Sequence, residues 1–191
     1  MARILIAGCG DIGTTLGLSL HAAGHRVWGL KRRPDDLPSA LEPLAADLAD
    51  PATLTVLPPA LDYIVYSAAA AGFSEALYEA AYVAGVRNLL NALRQAGQQP
   101  KRLLLTSSTS VYAQYRGEWV DEDSPASAAS FSGRCIRAGE QVLWDSGWPA
   151  VVVRFGGIYG PGRTRLIDSV RDGSATRPAG PPMFTNRIHR D

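Results

Sequence analysis

The segment that most constrains this chain is Gly8-Cys9-Gly10-Asp11-Ile12-Gly13. It follows Arg3-Ile4-Leu5-Ile6-Ala7, which reads as a buried strand over 3–7. It opens an apolar-periodic helix over about 12–23, with Leu16, Leu18 and Leu20 among its apolar positions. A second strand, His25 to Leu30, follows Gly24. The three glycines have three uses. Gly8 makes a tight turn, Gly10 lets backbone approach a pyrophosphate, and Gly13 lets the helix pack closely on the sheet. The helix then directs its free N–H groups and positive dipole end at the phosphates. Strand, glycine turn, helix and second strand together make this spacing a dinucleotide-binding fingerprint rather than an accidental turn.

The alternation continues. Asp35 to Leu41 reads as a short helix, Pro43 to Asp47 as a third strand, and Pro51 to Leu57 as a helical or turn segment closed by Pro58-Pro59. Leu61 to Ser67 is a fourth strand. Ser74 to Ala96 is a long helix with Leu77, Ala80, Ala81, Ala84, Leu89, Leu90 and Leu93 as core positions, stopped by Gly97. Arg102 to Thr106 is a fifth strand, Ser132 to Trp144 a helix, and Ala150 to Phe155 a sixth strand. Short continuous apolar strands alternating with helices imply an α/β chain: a Rossmann-type, doubly wound parallel sheet with helices on both faces. Residues 1–155 read as that domain. Residues 156–191 are rich in glycine, proline and arginine, with one helical candidate at Arg165 to Val170. They read as the start of a second, substrate-binding lobe.

Composition removes several classes. Apolar residues make up 46% of the 191, enough for a core, and the net charge of +1 gives neither a nucleic-acid footprint nor a pull toward a membrane surface. No apolar run approaches the roughly 20 residues of a membrane span, and no signal peptide is read. Cys9 and Cys135 lack metal-ligand spacing, His21, His25 and His189 do not cluster, and no metal site is read. Two free structural thiols suit a reducing cytoplasm.

Cofactor preference follows from the end of the second strand. An NAD site carries an acidic residue about 20 residues past the glycines to hold the ribose 2′-hydroxyl. Here the chain reads Leu30-Lys31-Arg32-Arg33. Three cations favour a 2′-phosphate and hence NADP, since guanidinium binds phosphate bidentately. Asp35 and Asp36 nearby keep NAD open, and a solvated basic loop is the plain alternative. Ala68-Ala69-Ala70 after the fourth strand is small enough for backbone to pass close to a cofactor.

These pieces resemble the extended branch of the short-chain dehydrogenase/reductase superfamily, the NAD(P)-dependent epimerase/dehydratase family. The glycine turn carries part of the resemblance. Thr106-Ser107-Ser108-Thr109-Ser110-Val111-Tyr112 looks like the family's serine-rich strand end. Arg154 to Arg163, with Tyr159-Gly160-Pro161-Gly162, looks like its Arg-x-x-x-x-Tyr-Gly-Pro-Gly signature. Asn186-Arg187-Ile188-His189-Arg190-Asp191 resembles a further family segment. The resemblance implies that Asp47, with Leu48, contacts the adenine. It also implies a small hydroxyl or carbonyl substrate such as a nucleotide sugar, and a homodimer through the two long helices.

Family members carry a Tyr-x-x-x-Lys pair on the helix after the serine strand, the lysine lowering the tyrosine pKa so that it can pass a proton. Anchored on Glu140, the tyrosine place falls on Ser132 and the lysine place on Ile136. A shift of one gives Phe131 with Cys135, or Gly133 with Arg137, and no register restores the pair. Ser108 reads as the substrate-orienting serine or as a polar strand end. Tyr112 reads as a substitute phenol or as a packed aromatic. Arg134 and Arg137 read as cations near the site or as solvated helix residues, Arg154 as a loop tether, and Tyr159 as packing under the nicotinamide end. Family members also continue well past this chain's last segment, so it reads as a truncated polypeptide or a genuinely short one. Two functions stay open: an atypical NAD(P)-dependent epimerase, dehydratase or reductase, and a non-catalytic dinucleotide-binding module or redox sensor.

Overall fold

The computed structural model describes residues 1–177, 179–180 and 184–191. Six strands form one sheet: β1 Arg3–Ala7, β2 Arg26–Lys31, β3 Glu42–Ala45, β4 Tyr63–Tyr66, β5 Arg102–Ser108 and β6 Ala150–Phe155. Every pairing is parallel, and the order is β3-β2-β1-β4-β5-β6. The order reverses between β1 and β4, so the carboxyl ends of these two strands diverge into a crevice.

The period-two alternation of β1 divides the core. Ile4 and Ile6, with Val27 and Val65, face α1 (Asp11–Ala22). Leu5 and Ala7, with Leu30 and Ile64, face α3 (Gly85–Gln95) and α4 (Phe131–Trp144). Val86, Leu89, Leu90, Leu93 and Leu143 complete that side. Helices therefore lie on both faces. α1 packs through Gly13 and Gly17, not through its leucines. Leu16 and Leu18 are exposed and only Leu20 of the three touches the core. The reason is distance: at Gly13 a Cβ would stand 2.8 Å from Ile6 and 2.9 Å from Ser67, so the helix axis sits too close to the sheet for side chains between them.

Other expectations shift. Residues 35–41 form no helix. Leu37 and Leu41 close two successive turns on the carbonyls of Pro34 and Pro38, because Pro38 has no N–H to give a helix. The third strand ends at Ala45, which leaves Asp47 free of the sheet at its carboxyl edge. The long helix is three pieces: α2 (Glu75–Tyr78), a π-helical segment (Glu79–Ala84) and α3. The buried Tyr66 hydroxyl donates to the Ala81 carbonyl, taking an acceptor that an α-helix would use itself. Burial holds the phenol well above its ordinary pKa, so it stays a donor. One added residue rotates the helix face by about 100°. Leu77, ahead of that segment, lies exposed at the crevice.

Past β6 the described residues include two further strands and a helix. β7 (Gly157–Tyr159) pairs in parallel with β8 (Arg187–His189), with α5 (Arg165–Arg171) between them. Among the described residues, no helix is long and apolar enough to cross a membrane.

Candidate functional site

The carboxyl ends of β1, β2, β3 and β4 enclose an open cleft of about 700 Å³. Its floor is the glycine turn. The N–H groups of Gly8 and Cys9 both donate to the Leu30 carbonyl at 2.9 Å, locking the turn onto β2. Gly8 has φ +86°, and a Cβ there would overlap the Ala68 backbone, so no other residue fits. A Cβ at Gly10 would meet nothing within 4 Å: it would point into the cleft. Gly13 lies beneath, buried against the sheet.

α1 differs from α2 and α4 in its cap. Ser74, Ser130 and Asp50 each accept a hydrogen bond at the start of α2, α4 and the 3₁₀ turn Pro51–Val56. Gly10 caps α1 with no side chain. The orphan N–H groups of its first turn are thus left for a ligand, in the field of the helix dipole. A backbone cradle that only glycine leaves open, beneath an uncapped helix, fits the pyrophosphate of a dinucleotide.

The cleft is lined by Gly8, Gly10, Asp11, Ile12, Lys31, Arg32, Arg33, Asp47, Leu48, Ala68 and Ala69 from the sequence reading. Gly13 and Ala70 are not on its wall. Lys31 is bound to Asp36, with Nζ 2.7 and 2.9 Å from its two oxygens, and that bond holds the Asp36 carboxyl below its usual range. Arg32 and Arg33 are exposed and, among the described residues, form no ion pair. Asp47 accepts the Ala49 N–H through Oδ1 at 2.9 Å. Asn88, which sequence reasoning missed, donates to the Leu48 carbonyl at 2.9 Å and fixes the adjoining wall. Tyr66, Ala80 and Ala81 close the far side, so the π segment is part of the cleft.

Asp11 is the first residue of α1. Its carboxylate accepts from Arg163 Nε at 2.7 Å and Arg190 Nη1 at 3.1 Å. Arg163, chiefly by this hydrogen bond, keeps the Asp11 carboxyl below its ordinary pKa. Cys9, buried beside Thr14, has its thiol pushed up by burial, which makes it a packing group.

The β5–β6 edge is organised differently. Glu140 is fully buried on α4. It accepts from Ser107 Oγ, from Arg154 Nε at 2.9 Å and from Arg154 Nη2 at 2.7 Å. Arg154 Nη1 donates to the Tyr112 hydroxyl at 2.8 Å, and that hydroxyl donates to the Asp121 carbonyl at 2.7 Å. The Glu140 carboxylate raises the Arg154 pKa. Arg154 is thus a tether, joining α4, β6 and the Tyr112 loop. Ser108 Oγ accepts the Ser110 N–H at 3.1 Å and caps the 3₁₀ turn Thr109–Val111.

Ser132 stands in the first turn of α4, its hydroxyl 3.1 Å from that of Ser130, and Ile136 is buried one turn on. Arg137 lies 3.6 Å from Glu140, and Arg134 lies 3.6 Å from Glu75. Asn186, at the start of the last family-like segment, accepts from Thr109 Oγ1 at 3.0 Å. Tyr159 stacks edge-on against His189 with centroids 5.2 Å apart.

The model of the NAD dependent epimerase/dehydratase family matches residues 4–177. A protein of Methylobacillus flagellatus assigned to the NAD-dependent epimerase/dehydratases is 40% identical and superposes with a TM-score of 0.82, covering 100% of this chain and 66% of that one. Bordetella bronchiseptica WbmG, solved in complex with NAD, is 26% identical with a TM-score of 0.73, over 90% of this chain and 60% of WbmG. Escherichia coli protein YeeZ is 29% identical over 175 residues, 85% of this chain and 61% of YeeZ. The chain thus spans about three fifths of the length of that curated relative.

Proposed function

This chain belongs to the NAD dependent epimerase/dehydratase family, and from that premise we propose that it binds NADP in preference to NAD and serves an oxidoreductase acting on a small hydroxyl or carbonyl substrate, a nucleotide sugar being the class the resemblance offers. The observation that carries the proposal is the uncapped α1 above Gly10, with Arg32 and Arg33 on the cleft wall and, among the described residues, in no ion pair. Gly8 and Gly10 with the first turn of α1 hold the pyrophosphate. Asp47 and Leu48 hold the adenine. Arg32 and Arg33 take the 2′-phosphate, since Lys31 is already committed to Asp36. Ala68 and Ala69 leave room for the cofactor to run toward β5. When bound, the nicotinamide supplies hydride transfer.

On the substrate side, Ser108 orients a hydroxyl or carbonyl at the carboxyl end of β5. Tyr112 is the candidate phenol, and Arg154 Nη1, 2.8 Å away, is the cation beside it. To give a proton to substrate, Tyr112 must first leave the Asp121 carbonyl. A second reading, a dinucleotide-binding module or redox sensor without turnover, is favoured by Ser132 and Ile136 at the places of the proton-transfer pair.

The deciding experiment is a titration of the purified chain with NADPH and NADH, followed by nicotinamide fluorescence. Tight NADPH binding with much weaker NADH binding is expected. The reverse preference removes the basic-wall argument and leaves the cleft. Binding of neither removes the dinucleotide assignment. Turnover by a full-length protein that survives Ser108→Ala unchanged removes the role given to Ser108.

A further inference from the structure

The ribbon formed by β7 and β8 brings two arginines 152 and 179 residues along the chain to a single carboxylate in the phosphate turn. Arg163 is fixed there by an isolated bridge to Gly160, its N–H donating to the Gly160 carbonyl at 2.8 Å. Arg190 is fixed by its N–H to the Tyr159 carbonyl at 2.8 Å and its Nη1 to the Pro161 carbonyl at 3.0 Å. Asp191 takes the Nε side of Arg190 at 3.1 Å and leaves Nη1 for Asp11. Asp11 and Arg163 both line the cleft.

The location of Asp11 is electrostatically unfavourable for a diphosphate. A carboxylate at the first position of α1 sits in the same positive end of the helix dipole that a pyrophosphate uses. Unneutralised, it also repels that group across a few ångströms of low-dielectric cleft. Two guanidinium groups cancel the repulsion, and Arg163, on the cleft wall, stands within reach of the same space. We infer that Asp11, Arg163 and Arg190 form a charge triad that sets the affinity of the glycine turn for the diphosphate of its dinucleotide, with the C-terminal ribbon acting as the source of the cations. Asp11 holds the arginines at the turn when no anion is present. The arginines transfer part of their hydrogen bonding to the diphosphate when one arrives. The inference rests on the dinucleotide reading above and assigns residues beyond it.

A structural tether and a charge triad make opposite predictions for Asp11→Asn. If the ion pairs serve only to dock the ribbon, D11N and the double variant R163A/R190A both break them and both weaken binding. If the triad sets local charge, D11N tightens dinucleotide binding, about threefold or more, while R163A/R190A weakens it about tenfold at low salt, and the triple variant falls between the unsubstituted chain and R163A/R190A. The measurement is the dissociation constant of the preferred dinucleotide for the full chain and the three variants, at low salt and at about 0.5 M salt, where the differences must shrink. Inorganic pyrophosphate serves as competitor, and a thermal melt of each variant confirms that it is folded. D11N binding more weakly than the unsubstituted chain, or R163A/R190A binding as tightly, overturns the triad while the cofactor assignment stands. Failure of the unsubstituted chain to bind either dinucleotide removes both. Should R163A/R190A fail to fold, the sign of the D11N effect alone decides.

Discussion

The two ends of the sheet's carboxyl edge use charge in opposite ways. Around β1 and β2 the charged groups are at the surface of a cleft: Arg32, Arg33, Asp11 and Arg163 all reach solvent, and the helix above them is uncapped. Around β5 and β6 they are withdrawn. Glu140 is inaccessible, Arg154 is mostly covered, and their hydrogen bonds are spent on each other, on Ser107 and on Tyr112. The first end is arranged to meet a ligand. The second is arranged to hold α4, β6 and the Tyr112 loop in one position. Buried charges that satisfy one another define a geometry, whereas exposed ones are available for exchange.

The largest test of this contrast is Glu140→Gln. It leaves Arg154 buried without its counter-charge and should cost about 3–5 kcal/mol of stability, read by urea denaturation. A loss below about 1 kcal/mol would mean that the network is not the rigid element described. Next is Tyr66→Phe. It strips the Ala81 carbonyl of its donor beneath the cleft wall and should cost about 1–3 kcal/mol, with faster amide exchange at Gly85 as the local sign. Unchanged exchange there would detach the π segment from the Tyr66 hydroxyl.

On the cleft side, Arg32→Ser with Arg33→Ser should weaken NADPH about tenfold, leave NADH within a factor of two, and leave the melting temperature unchanged. An equal loss for both cofactors would show general electrostatics rather than recognition of the 2′-phosphate. The smallest effect is in pH. The folded Asp11 pKa is below its unfolded value, so its ion pairs contribute stability in full above about pH 4 and lose it as pH falls through the lower folded value. Its side chain is 40% exposed, so after solvent screening the contribution is a few tenths of a kcal/mol. The stabilities of the unsubstituted chain and Asp11→Asn should therefore converge as the pH falls below the ordinary carboxylate range, and a constant gap would deny the linkage.

Legibility in the sequence followed the range of the interactions. Gly8, Gly10 and Gly13 fall at a fixed spacing between a strand and a helix, so local pattern alone marks the turn, although the groups Gly8 and Gly13 press against, Ala68 and Ser67, lie far along the chain. The basic stretch after β2 was equally plain, but the pairing of Lys31 with Asp36 was not, since either aspartate or solvent could have taken the lysine. The π segment was invisible because its cause, the Tyr66 hydroxyl, comes from a different strand. Pro38, which has no N–H to give, is the local signal that works against a helix over 35–41. The β7–β8 pairing and the arrival of Arg163 and Arg190 at Asp11 join residues about as far apart as this chain allows, and no local pattern encodes them. The tethering place of Arg154 is legible from its position in the sequence. That Glu140 is its anchor needed the fold.

One consequence concerns anyone wishing to make this protein sturdier. Replacing helix glycines by alanine ordinarily gains up to about 1 kcal/mol per site through helix propensity. Gly133 and Gly139 in α4 look like such opportunities. A methyl group at Gly133 would collide with the Ser110 carbonyl, and one at Gly139 with the Tyr82 carbonyl. At both sites the sign of the propensity rule reverses. Stabilising substitutions belong instead on the outward face of α3, away from the backbone that α4 is pressed against.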